Sequence, residues 1–309
     1  MTTPIDNLRG NIRKVFFGDP EAVDRAITCL LARGHLLIED VPGVGKTMLA
    51  TAIARSVDCS FSRIQLTPDL LPADVLGVSI FRRDPGEFSF QPGPIFANVV
   101  LADEINRASP RTQSAMLEAM NEATVSIDGT VHRLDQPFIV IATQNPFEFE
   151  GTHPLPENQL DRFLMRLELG YPTAEAEARM LEERPATTSL QTLDPVMDKA
   201  GLIELQQQAE RVKMDQSLLD YIVQLATATR EHEALRVGVS PRGALALAQA
   251  SRATALVRER DYCVPEDITD NVVPVCAHRV VPRSRLGEHA FEAAVQALGD
   301  AMQRVPSPV

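Results

Sequence analysis

The sequence of 309 residues predicts an α/β fold: a core with a parallel five-stranded sheet and two inserted β-hairpins, followed by a smaller all-helical domain. Three observations carry this expectation. Short apolar runs alternate with helical patterns as far as about Gly170, as they do where a parallel sheet is crossed by helices on both faces. Strand signals stop after Tyr171-Pro172, and the rest of the chain reads as helices. Two pairs of short runs flank turn sequences within the first half. The expected domains are residues 1–172 and 173–309.

Both chain ends read as frayed. From Glu21 to Arg33, Val23, Ala26, Ile27, Leu30 and Leu31 recur at helical spacing and Gly34 supplies a stop, so a first helix is expected there. His35 to Glu39 is a short apolar run, then a Gly/Pro turn, then good helix formers from Lys46 to Ser56. Further strands are expected over Phe61 to Leu66, Asn98 to Ala102, Phe138 to Thr143 and Phe163 to Leu169, with a helix over Thr112 to Glu122. One hairpin is expected from Val78 to Gln91 around Arg82 to Glu87, and a second from Thr124 to Arg133 around Asp128-Gly129. Helical patterns then cover Ala174 to Glu183, Ile203 to Arg211, Gln216 to Thr229, Pro241 to Arg258, Pro265 to His278 and Glu288 to Met302.

Composition narrows the function classes. A formal charge of −12 repels phosphate backbones and anionic membranes, and the chain has 12 Phe, 3 Tyr and no Trp for base stacking, so nucleic acid is not an expected partner. Cys29, Cys59, Cys263 and Cys276 have neither metal-ligand nor redox spacing and read as reduced packing residues. The six histidines form no H-E-x-x-H pattern. Met1 to Arg13 carries no signal-like apolar segment and no run reaches membrane-spanning length, so a cytoplasmic location without membrane insertion is expected.

The chemistry concentrates in a few places. Gly43-Val44-Gly45-Lys46-Thr47 lies between an expected strand and helix, where backbone N–H groups and a helix N-terminus wrap nucleotide phosphates. Lys46 would contact the β and γ phosphates, Thr47 would ligate Mg²⁺, and Met48 completes the binding stretch. The pattern G-x-x-x-x-G-K-[ST] asks for Gly where this chain has Asp40, a residue that tolerates left-handed turns. Val99 to Glu104 is an apolar strand ending in two carboxylates: Asp103 would hold Mg²⁺ through its water shell and Glu104 would act as general base. Asn145 ends another buried strand and could orient the attacking water if that strand neighbours both earlier ones; Asn-Pro is also a common turn.

Taken in order, the phosphate loop, the Asp103-Glu104 pair, Asn145 and Leu160-Asp161-Arg162-Phe163 resemble the AAA+ ATPases along nearly the whole chain. ExxPGxGKT (Glu39 to Thr47), LADEINRA (Leu101 to Ala108), ATQNP (Ala142 to Pro146), QLDRF (Gln159 to Phe163) and SPRG (Ser240 to Gly243) are similar to the MoxR group. That resemblance implies sensor 1 at Asn145, an arginine finger at Arg162 and sensor 2 at Arg242, with ATP and Mg²⁺ as ligands. Arg162 could alternatively be a structural residue paired with Asp161. The hairpins resemble pore-facing inserts of the branch that includes the magnesium chelatase motor and MCM helicases, or they cap the sheet. The implied function is an oligomeric ATPase, a homo-hexamer, that remodels or matures client proteins or loads their cofactor or metal. A separate protein with a von Willebrand factor A domain is the implied partner. A magnesium-chelatase-like motor subunit, a nucleotide-gated scaffold with little hydrolysis and a DNA-acting motor are the alternatives.

Overall fold

The computed structural model describes residues 2–41, 43–83, 86–145, 151–183, 193–283 and 289–308. The chain forms two compact units whose segments interleave: Met1–Asp24, His35–Leu155 and Glu168–Ile203 in the first, Arg25–Gly34, Pro156–Leu167 and Glu204–Val309 in the second.

The N-terminus departs from the expected fraying, because Pro4–Arg13 is a helix (α1). Thr3 caps it, accepting from the Asp6 N–H at 3.1 Å, Pro4 occupies the first turn, and Ile5, Leu8 and Ile12 bury one stripe. The expected first helix follows as α2 (Pro20–Leu31). Strands β1 (Leu36–Glu39), β2 (Phe61–Gln65), β5 (Val99–Asp103), β8 (Ile139–Gln144) and β9 (Met165–Leu167) build a sheet of order β2-β5-β8-β1-β9. β1 pairs with β8, β8 with β5 and β5 with β2, each in parallel. Val100, Leu101, Ala102, Val140, Ile141 and Ala142 are fully buried, which is why these strands read as unbroken apolar runs rather than alternating ones.

Helix α3 (Lys46–Ser56) starts where expected, α4 is Pro72–Leu76, and α5 (Pro110–Glu122) begins two residues earlier than expected because Ser109 caps it and Pro110 suits a first turn. His35, 8% exposed, bridges α5 and β8: one ring nitrogen meets the Met120 carbonyl at 3.0 Å and the other accepts from the Val140 N–H at 3.0 Å. That arrangement needs the neutral ring, and burial pushes its pKa down to about 4.

Both hairpins form. β3 (Gly77–Arg82) pairs antiparallel with β4 (Glu87–Pro92), and β6 (Thr124–Ile127) with β7 (Thr130–Arg133). Phe90 of the first stacks on His132 of the second, with ring centroids 3.9 Å apart, so the hairpins pack on each other.

In the second unit, after α6 (Glu157–Leu160) and the helices α7 (Ala174–Glu183) and α8 (Lys199–Arg211) that precede or enter it, come α9 (Gln216–Arg230), α10 (Pro241–Val257), α11 (Pro265–Cys276) and α12 (His289–Arg304). Helices dominate as expected, with one addition: β10 (Leu235–Val237) pairs antiparallel with β11 (Val281–Pro282). Runs of two or three residues are too short to show a period, and they are far apart in the chain. Cys29, Cys263 and Cys276 are buried free thiols and Cys59 is half-buried; burial pushes the Cys276 thiol up to about 12. No described helix is long and apolar enough to cross a membrane.

Candidate functional site

The turn between β1 and α3 is shaped by two glycines. Gly43 and Gly45 adopt φ of 92° and 94°, a left-handed region that costs an L side chain, and Pro42 between Val41 and Gly43 lies outside the described residues. Gly45 is the N-cap of α3 and supplies no side-chain cap. Lys46, Thr47 and Met48 form the first turn of the helix, and the Leu49 N–H bonds back to the Gly45 carbonyl at 2.9 Å. Such a terminus suits an anion. Val44 is nearly buried, whereas Lys46, Thr47 and Met48 are half-buried.

Asp40 works differently from the sequence expectation. It is not among the residues with positive φ. Its carboxylate instead accepts from the N–H groups of Leu169 and Gly170, both at 2.7 Å, and from Val41 at 2.7 Å, while its carbonyl accepts from Lys46 Nζ at 2.8 Å. A glycine there could staple nothing; the aspartate ties the turn to the chain beyond β9.

Strand β8 is the organising element, because it lies between β1 and β5. Register pairs Glu39 with Gln144 on one side and Ala102 with Ala142 on the other, which brings the C-terminal ends of three strands level. The Thr143 hydroxyl donates to Asp103 Oδ1 at 2.6 Å and accepts from the Glu104 N–H at 2.9 Å. Gln144 donates to the Glu39 carboxylate. Asn145 follows at the end of β8, so its strand meets the stated condition of neighbouring both earlier ones.

Around the paired carboxylates the structure adds residues that the sequence reading missed. Asp103, 9% exposed, accepts from Arg63 through Nη2 at 2.6 Å and Nε at 3.1 Å. Glu104 sits at φ 57°, uncommon for a non-glycine, and this turns the chain into a short 3-10 segment, Ile105–Arg107. Its carboxylate accepts from Gln65 Nε2 at 2.9 Å and Arg107 Nη1 at 3.2 Å. Arg63 and Gln65 stand two apart on β2 and so share a face; that spacing was the available signal. The Thr47 hydroxyl and Asp103 carboxylate are hard oxygen donors, and Mg²⁺ takes few protein ligands beside phosphate and water, so the donor set fits a Mg²⁺-nucleotide.

Arg162 and Arg242 belong to the second unit. Arg242 lies in the first turn of α10, whose cap Ser240 accepts from the Gly243 N–H at 3.0 Å. Asp161 does not take Arg162 as partner: its carboxylate accepts from Arg279 Nε at 2.8 Å and lies 3.9 Å from Arg242 Nε. Arg162 Nη1 is buried without a hydrogen-bond partner.

Comparison with known proteins agrees with this geometry. Residues 35–165 match the ATPase family associated with various cellular activities (AAA), and residues 227–298 match the AAA lid domain. Chaperone MoxR1 of Mycobacterium tuberculosis is 42% identical over 279 residues, covering 87% of this chain and 74% of the relative. The chain belongs to the MoxR family of AAA+ ATPases. Protein MoxR of Paracoccus denitrificans is 31% identical, covering 95% of this chain and 93% of the relative. The uncharacterized protein YeaC of Bacillus subtilis is 47% identical, covering 95% and 92%. A crystal structure from Cytophaga hutchinsonii, provisionally described as an ATPase, superposes with a TM-score of 0.89 at 35% identity, covering 99% of this MoxR-family chain and 95% of that one.

Proposed function

We propose that this MoxR-family chain hydrolyses ATP with Mg²⁺ as a homo-oligomeric ring, a hexamer, in the cytoplasm, and uses the cycle to remodel or mature client proteins or load their cofactor or metal. The observation that supports hydrolysis best is β8 between β1 and β5, its Thr143 bonded to both Asp103 and Glu104. In this reading residues 1–172 bind nucleotide and residues 173–309 form the lid.

The backbone of Gly43, Val44, Gly45 and Met48 cradles phosphate, and Lys46 exchanges the Asp40 carbonyl for phosphate oxygens. Thr47 and Asp103 hold Mg²⁺, which requires Asp103 to release at least part of its contact with Arg63. Bound metal neutralises charge on the transferred phosphoryl group. Glu104, oriented by Gln65 and Arg107, accepts the proton of the attacking water, and Asn145 orients that water. Arg162 serves as the finger for a neighbouring subunit and Arg242 as the sensor.

The client would meet the hairpins. Phe81 and Phe88, 53% and 73% exposed, form a tilted pair with centroids 5.2 Å apart, an apolar contact on an otherwise acidic protein. A separate protein carrying a von Willebrand factor A domain is the proposed partner.

The test is steady-state ATP hydrolysis against protein concentration, with Mg²⁺ and with Glu104→Gln as control. A specific rate that climbs with concentration and vanishes in the control is the expected result. Negligible turnover at every concentration would count for the scaffold alternative.

A further inference from the structure

Arg279, just past α11 and 7% exposed, has all five of its guanidinium N–H donors engaged. Nε donates to Asp161 Oδ1 at 2.8 Å, Nη2 to the carbonyls of Phe163 at 2.6 Å and Asp161 at 3.4 Å, and Nη1 to the carbonyl of Leu164 at 3.1 Å and to that of Val275. The next residue inward, His278, points Nε2 at the Phe163 carbonyl at 3.0 Å. Phe163 itself is fully buried. The chain is therefore held at the Asp161 carbonyl before Arg162 and at the Phe163 and Leu164 carbonyls after it, and Arg162 Nη1 is buried without a hydrogen-bond partner.

A buried guanidinium is costly unless every donor is met, and here the acceptor oxygens come from the 161–164 loop except for that of Val275 in α11. We propose that Arg279 is a positioning residue that presets Arg162 for the phosphoryl group it serves, an inference that rests on the reading of Arg162 as a finger. Asp161 extends the same clamp toward Arg242, whose Nε lies 3.9 Å from its carboxylate. Preorganisation of this kind acts on the transition state and leaves nucleotide binding alone.

Lysine at position 279 keeps the charge but not the planar fork, so it cannot hold Asp161, Phe163 and Leu164 together. The experiment mixes Arg162→Ala subunits, which keep an intact hydrolytic site, with donor subunits that carry Glu104→Gln and an intact finger. Turnover in that mixture is compared with a mixture whose donor carries Glu104→Gln and Arg279→Lys. Nucleotide affinity and assembly of each donor are measured alongside. The expected result is rescue by the first donor and at least about ten-fold less by the second, with affinity and assembly unchanged. Equal rescue overturns the proposal. Should Arg279→Lys unfold the donor, Asp161→Asn replaces it, with reduced rescue expected and equal rescue again overturning. No rescue by the Glu104→Gln donor alone removes the finger reading, and this inference with it.

Discussion

The end of β5 and the 161–164 loop both carry charged groups proposed for hydrolysis, and they are held in opposite ways. Asp103 and Glu104 are held by side chains, and two of those, Arg63 and Arg107, are 50% and 43% exposed. The 161–164 loop is held through its backbone by Arg279, which is buried. Side chains held by partly exposed partners exchange more readily than a buried, fully bonded charge, whose removal costs roughly 3–5 kcal/mol. In the proposed cycle this is a division of labour: the carboxylates would change partners as Mg²⁺ and phosphate bind, while the loop around Arg162 would keep its shape.

Four measurements break or sharpen that contrast. If Arg162 is the finger proposed above, Arg162→Ala is expected to lower turnover about 10³-fold with nucleotide affinity unchanged, because a finger acts only on transition-state charge; an equal loss of affinity would make the loop a binding element instead. Phe163→Ala should cost about 3–5 kcal/mol in urea unfolding and Arg107→Ala about 1 kcal/mol or less, since Phe163 is fully buried while Arg107 and Glu104 are both partly exposed. Similar costs would erase the distinction.

The third measurement concerns pH. His35 is neutral when folded, with its pKa pushed down to about 4 from 6.5, so below pH 6.5 the unfolded chain takes up a proton that the folded chain refuses. Its stabilisation is complete above pH 6.5 and is lost as pH falls toward 4, by roughly 3 kcal/mol in total. Burial shifts His278 in the same direction, with the Arg279 charge adding to it. Urea midpoints between pH 7 and 4 should fall steeply, and His35→Gln should show a shallower slope; parallel slopes would mean that His35 is protonated in the fold. The smallest effect is expected from Thr143→Val, about ten-fold in turnover with binding kept, since one hydroxyl serves both Asp103 and Glu104. A null effect would show that the paired carboxylates need no support from β8.

Much of this was legible beforehand. The buried strands announced themselves as apolar runs, and both hairpins as paired runs about turn sequences such as Asp128-Gly129. The phosphate-loop residues, Asp103 and Glu104 could be picked out because their spacing is local, between one strand end and the next helix. Helix α1 was overlooked because ten residues near a chain end look like a frayed terminus until Thr3-Pro4 is read as a cap. Asp40 was identified as a departure from the loop pattern, but its partners, Leu169 and Gly170, lie about 130 residues away and left no local trace.

What the sequence determined by itself is the chemistry available at each strand end and the periodicity that makes each strand or helix, because both depend on neighbours within a few residues. Tertiary structure alone decided which ends meet. The order β2-β5-β8-β1-β9 put Thr143 beside Asp103 and Glu104, and burial of Arg279 against Asp161, Phe163 and Leu164 fixed the loop that carries Arg162. The physical reason is that strand order and side-chain burial are set by the summed packing of distant segments, a quantity that no short window of residues contains.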